Sequence, residues 1–119
     1  MSELDSWLES TAEKRAELLR YSLSPIPTDP GVRQVDIGKA LTLGQDAGDL
    51  LADIEKHLTD ETGRAVLDVR KKYDDLTAEE RRAQVKASVS SLARLRDGLQ
   101  VICTSIKDRR FTLMSVGRW

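Results

Sequence analysis

Two clusters of cationic side chains are the residues of this chain best suited to bind a ligand. The first is VRKKY, with Arg70, Lys71 and Lys72, and the second lies in the segment KDRRFTLMSVGRW at residues 107–119. Lys and Arg neutralise phosphates and release counterions, and nearby aromatic side chains stack on bases. Cations also favour the negative end of a helix dipole, and aromatic residues also suit docking on a neighbouring subunit, so three roles stay open. The predicted nucleic-acid contacts are Arg70, Lys71, Lys72, Lys107, Arg109 and Arg110.

Residues suited to catalysis or metal binding are few. His57 is the only histidine, and Asp53 four residues before it completes a pair of ligands, which is weak support for a divalent ion. One histidine defines no catalytic triad, and the stretch LGQDAG lacks the Lys-Ser/Thr of a phosphate-binding loop. Cys103 is the only cysteine and lies in the apolar stretch QVICTSI, as expected of a small buried hydrophobic residue. We therefore expect no enzyme activity, metal, cofactor or small-molecule substrate.

Charge is unevenly distributed along the chain. Residues 78–119 contain nine Lys or Arg and four Asp or Glu, a net of +5, and because the total is −1 residues 1–77 carry −6. Such asymmetry is typical of a polyanion-binding end. It also suits contact between the acidic part of one subunit and the basic part of another, and solvated helix faces explain it equally simply.

The first half of the chain predicts two helices around a proline-rich turn. Apolar residues at three- and four-residue steps, with Ser2 as N-cap, predict a first helix over residues 1–23. All three prolines fall in SPIPTDPG, so residues 24–35 are predicted to be a turn. A heptad seam predicts a long helix over residues 36–76, with a break near residues 59–63 left open by Gly63. The seam consists of Ile37, Ala40, Gly44, Ala47, Leu51, Ile54 and Leu58.

The second half predicts one more helix and a short tail. Thr77 and Glu80 form a capping-box pattern, which places the start of a helix over residues 77–112, followed by a tail at 113–119. The short DDLT junction at residues 74–77 allows only a tight reversal, so the second and third helices should form an antiparallel hairpin. The predicted fold is therefore a single all-α domain: a long antiparallel helical hairpin with an additional N-terminal helix.

Oligomerisation is expected because the first helix alone is too small to cover the apolar stripes that the hairpin leaves. No apolar run approaches the roughly 20 residues that span a bilayer, and the acidic N-terminus lacks a secretory apolar region, so no membrane association is expected. The predicted interface residues are Leu51, Ile54, Leu58, Leu92, Leu99, Ile102, Ile106, Phe111 and Trp119.

Residues 95–113, LRDGLQVICTSIKDRRFTL, resemble the C-terminal helix of the UvsY-like recombination mediators of tailed phages. The matching positions are Ile106, Lys107, Arg109, Phe111 and Leu113, which fit an apolar run, an Ile-Lys-x-Arg element, an aromatic and a further apolar residue. The helical layout is similar, and the resemblance implies ring-like assembly and places VRKKY where that family contacts DNA. The DDLTAEE stretch, the SPIPTDPG turn and the acidic central portion depart from that pattern.

Two functions follow as expectations. The first is a non-enzymatic, oligomeric, cytoplasmic recombination mediator that binds single-stranded DNA and helps to load a recombinase. The second is a virion or scaffold subunit whose helical hairpin and C-terminal tail make subunit contacts. A partner-binding adaptor that uses the acidic face of residues 46–61 is a third class.

Overall fold

The computed structural model describes residues 2–72 and 75–116, and these form four α-helices without a strand. Helix α1 spans Glu3–Leu23, α2 spans Pro30–Lys72, α3 spans Ala78–Ser88 and α4 spans Ser90–Val116. Helices α2 and α4 pack as a hairpin, which confirms the predicted all-α helical hairpin with an N-terminal helix. Among the described residues, no helix combines the length and the apolar character that crossing a bilayer requires.

The chain divides into two compact units, one within residues 1–51 and 99–119 and the other within residues 52–98. In the first unit, α1 and the N-terminal half of α2 pack with the C-terminal half of α4. Buried residues recur at three- and four-residue steps on α2 and at seven-residue steps on α4, as helix pairing requires. The core of this unit consists of Leu18, Ala40, Leu43, Ala47, Leu50, Leu99, Ile106 and Leu113.

The second unit joins the C-terminal part of α2, all of α3 and the first turns of α4. Its buried residues are Ile54, Ala65, Val69 and Leu92. Helix α3 contributes no fully buried residue, and Val85 and Val89 are only half-buried. This unit therefore leaves part of its apolar surface uncovered beside α3.

Helix α2 starts at Pro30, earlier than the predicted residue 36. Proline is favoured at the first position of a helix because its missing N–H would have no partner there. The carboxylate of Asp29 accepts hydrogen bonds from the N–H groups of Gly31 and Val32, at 2.8 and 3.2 Å. Asp29 and Pro30 thus form a start signal for α2. The prediction placed the start later because it treated the prolines only as residues that end a helix. The helix continues through Gly63, so α2 has no break near residues 59–63.

The predicted third helix is two helices separated at Val89. Thr77 caps α3 as expected, since its hydroxyl accepts from the Glu80 N–H at 3.2 Å. Val89 has φ −107° and ψ 8°, outside the helical range, and the flanking Ser88 and Ser90 hydroxyls donate to the carbonyls of Gln84 and Ala87. Serine hydroxyls compete with the backbone for these carbonyls, and this weakens the helix locally. Helix α4 then continues to Val116, so the start of the predicted tail at residues 113–119 is helical.

The predicted oligomer interface needs correction. Ile54, Leu92, Leu99 and Ile106 are buried within the single chain, so they are core residues and offer no surface to a second copy. Leu51, Leu58 and Ile102 are half-buried, whereas Phe111 is 72% exposed. Trp119 lies outside the described residues.

Two glycines in α2 offer a test of the helix interior. A Cβ added at Gly48 or Gly63 would meet nothing within 4 Å. We expect Gly48→Ala and Gly63→Ala each to raise the free energy of unfolding by about 0.5–1 kcal/mol, because alanine restricts the unfolded chain and favours the helix. Urea unfolding measures this, and Ala47→Gly in the buried seam is the opposite control. Destabilisation by both alanines would contradict a continuous α2.

Candidate functional site

The first cluster of interacting polar groups surrounds Arg109 on α4. Its Nε donates to the Oδ2 of Asp36 at 2.9 Å, and both side chains are less than a tenth exposed. Its two terminal nitrogens donate to the carbonyls of Ser24 and Pro25, at 2.6 and 3.0 Å. One guanidinium therefore joins the proline-rich turn, the start of α2 and the end of α4.

Tyr21 completes this buried cluster from the end of α1. The Arg109 guanidinium carbon lies 4.5 Å from the centre of the Tyr21 ring, a cation–π distance. The Tyr21 hydroxyl donates to the Oδ1 of Asp36 at 2.9 Å. Burial, followed by this hydrogen bond and the nearby Asp36 charge, raises the pKa of Tyr21 to about 12. The carboxylate of Asp36 thus has a partner on each oxygen.

The position of Arg109 corrects its predicted role as a nucleic-acid contact. Its side chain is buried, and each of its three nitrogens donates a hydrogen bond to Asp36 or to a backbone carbonyl, so it is not presented to a phosphate in solution. Asp36 and Tyr21 were absent from the predicted site. The available signal was the position of Asp36, four residues before Ala40 on the buried face of α2, where an acidic side chain requires a buried partner.

The second candidate site is a groove between α2 and α3, which we call the cationic groove. Its volume is about 520 Å³. Valine side chains form its floor, and four cationic side chains surround them without a single acid among the described lining residues. The lining consists of Thr62, Val66, Val69, Arg70, Ala78, Arg81, Arg82, Val85, Lys86 and Val89.

The opposite side of the same helix pair differs in charge. The space there is about 300 Å³ and shares Val69 and Val89 with the cationic groove. Its described lining carries two acids, Glu61 and Asp68, along with Arg64 and Lys72, so the charges balance. Among the described lining residues, one side of the α2–α3 pair is therefore uniformly positive and the other is balanced.

The other predicted cations are exposed. Arg70, Lys71 and Lys72 lie on the last turn of α2, and of these only Arg70 lines the cationic groove. Lys107 and Arg110 are exposed on α4. Arg82 and Lys86, which sequence reasoning did not select, are exposed on α3 and line the groove. Their spacing of four residues on a helix was the signal that one face of α3 is basic.

Residues for redox or metal chemistry are not gathered into a site in the described part of the chain. Cys103 is half-buried and burial raises the pKa of its thiol, which lowers the fraction of reactive thiolate. No group of three or more His, Cys, Asp or Glu side chains with metal-binding geometry occurs among the described residues.

Removal of one partner from the buried Arg109–Asp36 pair should destabilise the folded chain. We expect Arg109→Met to lower the free energy of unfolding by about 3–5 kcal/mol, because it leaves the Asp36 carboxylate buried without its cation. Urea unfolding of Arg109→Met, Asp36→Leu and the double variant gives the coupling energy. The double variant should lower the free energy of unfolding by clearly less than the two single variants do in sum. Additive losses would contradict a direct buried interaction.

Tyr21 should make stability depend on pH in the alkaline range. Its pKa in the folded chain, about 12, lies above the ordinary value of 10, so folding favours the protonated phenol. Its contribution is fully present below pH 10 and is lost as the pH rises through 12. The difference in unfolding free energy between wild type and Tyr21→Phe should therefore shrink over that range. Ultraviolet titration in a Tyr73→Phe background, where Tyr21 is the only tyrosine, should show no phenolate near pH 10.

Comparisons with protein families, with curated proteins and with solved structures found no match for this chain. The resemblance of residues 95–113 to UvsY-like mediators therefore stays a prediction from the sequence. Of the two candidate sites, the buried cluster around Arg109 is structural, and the cationic groove faces solvent.

Proposed function

We propose that this chain is a non-enzymatic docking protein whose cationic groove binds an acidic amphipathic helix of a protein partner. The observation that carries the proposal is the composition of the groove. Arg70, Arg82 and Lys86 surround a floor of valines, and no acid lines it among the described residues. A ligand that matches both features has an apolar stripe flanked by Glu or Asp.

The shape of the groove supports a helical ligand. Two helices form its walls, and amphipathic helices bind in such grooves through apolar side chains at three- and four-residue steps. Val66 is an exposed large hydrophobic residue on this surface. Helix α3 has no fully buried residue, so a ligand that covers the valines adds apolar burial that the unit lacks by itself.

Single-stranded DNA is the second candidate ligand, with the chain acting as a recombination mediator that helps to load a recombinase. Arg70, Lys71 and Lys72 support it, because they are exposed and consecutive and have no ion-pair partner among the described residues. The aliphatic floor favours it less, since groups that bind single strands without sequence preference usually stack the bases on aromatic rings. Loss of Arg109 from the predicted contacts also reduces the number of available cations.

A designed helical peptide tests the docking function. The probe carries Leu at positions i, i+4 and i+7 with Glu on both flanks, and a matched peptide carries Lys in place of Glu. We expect the acidic peptide to bind and Arg82→Glu/Lys86→Glu to weaken it about tenfold or more, because rim charges reverse from attractive to repulsive. Fluorescence anisotropy with a labelled peptide measures both affinities.

Lys56→Glu/Arg94→Glu is the matched control, since both residues are exposed cations of the same unit outside the groove lining. It changes the net charge equally and should leave the affinity unchanged. Equal binding of the acidic and basic peptides would refute the docking function.

A labelled oligonucleotide tests the second candidate. If Arg70, Lys71 and Lys72 contact phosphates, affinity should fall with salt, and replacing all three with alanine should lower the log–log salt slope by roughly 2. Absence of binding at both low and moderate salt would exclude single-stranded DNA as the ligand.

A further inference from the structure

Helix α1 carries an apolar stripe on its outer face. Ala12, Ala16, Leu19 and Leu23 follow each other at steps of four, three and four residues, so they lie on one side of the helix. All four are exposed, Leu19 by 47% and Leu23 by 76%. A second apolar face on a helix that already packs through another face indicates an unfilled contact.

The inner face of α1 packs against the rest of the first unit. Leu18 is fully buried in the first unit. Lys14 lies 3.2 Å from the carboxylate of Asp46 on α2 and 3.2 Å from Glu17 on its own helix. These hydrogen-bonded acids raise the pKa of Lys14. The outer stripe is therefore accessible without separating α1 from α2.

Acidic residues accompany the outer stripe. Glu9 precedes Ala12 by three residues and Glu13 precedes Ala16 by three, so each lies beside the stripe on the helix surface. Both are exposed and have no ion-pair partner among the described residues. The outer face thus combines an apolar row with two carboxylates along one flank, and the exposed Arg20 follows them on the same flank toward the end of the helix. The apolar row matches the valine floor of the cationic groove, and the two carboxylates match its positive rim.

We propose that the outer face of α1 in one copy of this chain docks into the cationic groove of a second copy. The inference rests on the proposed docking function and names its occupant. Ala12, Ala16 and Leu19 cover the valine floor, and the small alanines let the helix approach closely. Glu9 and Glu13 then face the positive rim formed by Arg82 and Lys86. A nucleic acid would satisfy the rim alone and leave both apolar surfaces uncovered.

This contact joins two different surfaces of the same chain, so the assembly is head-to-tail. Each added copy presents one free α1 face and one free cationic groove. Such contacts generate a ring where the rotation closes and a filament where it does not. The uneven charge of the sequence, −6 over residues 1–77 and +5 over residues 78–119, is in keeping with contact between unlike parts of successive copies.

Charge exchange across the proposed contact is the test, with mass in solution from light scattering as the readout. We expect the wild-type chain to form oligomers at micromolar concentration. Glu9→Lys/Glu13→Lys and Arg82→Glu/Lys86→Glu should each be monomeric, while the variant with all four changes should assemble again. All four positions are exposed on helices, and circular dichroism checks that each variant is folded.

Asp49→Lys/Glu55→Lys is the matched control for the first pair, because it changes the net charge equally at exposed acids of α2. It should assemble as the wild type does. Monomeric wild-type chain, or assembly of both charge-reversed pairs, would overturn the inference.

The designed acidic peptide separates this failure from failure of the proposed function. A monomeric chain that still binds the peptide retains the docking function and loses only the self-contact. If the chain assembles but binds no peptide, and if its mass in solution is the same in all the charge variants, both the docking function and the self-contact are refuted. Displacement of the assembly by an oligonucleotide, with no binding of the acidic peptide, would assign the groove to nucleic acid and also overturn the inference.

Discussion

The buried ion pair of Arg109 and Asp36 is the interaction on which the rest of the first unit depends. Two charges removed from water are tolerated only where each is paired and its remaining hydrogen-bonding groups are used. Here the guanidinium binds a carboxylate and two turn carbonyls, and the second carboxylate oxygen accepts from Tyr21. Because these partners belong to α1, the proline-rich turn, α2 and α4, one pair fixes the arrangement of all four segments.

The same pair changes how the positive charges of the chain should be interpreted. In the basic cluster of α4, Arg109 pairs with a buried carboxylate, while its neighbours Lys107 and Arg110 face solvent. The number of cationic residues in that stretch of α4 is therefore larger than the number exposed at its surface. The basic surface with a definable shape lies elsewhere, between α2 and α3, where cations surround an aliphatic floor.

The cationic groove includes Val89, the residue at which the predicted third helix is interrupted. A shorter α3 without a buried residue lies beside α2 and leaves valines of both helices partly uncovered. Acidic residues balance the cations on one side of this helix pair but are absent from the described lining of the other. This asymmetry is the basis of the proposal that the groove binds acidic ligands with an apolar face, such as the outer face of α1.

The sequence by itself determined the all-α class, the hairpin and the Thr77 cap, because helical periodicity and capping are local and repeat along the chain. It also contained the start of α2, since Asp29 and Pro30 form a local cap signal. Tertiary structure alone decided that Arg109 is internal, because Asp36 lies 73 residues away and no local pattern pairs them. It likewise assigned Ile54, Leu92, Leu99 and Ile106 to the core. Heptad spacing shows which side of a helix is apolar, but whether the same chain or another copy covers that side depends on how the helices pack.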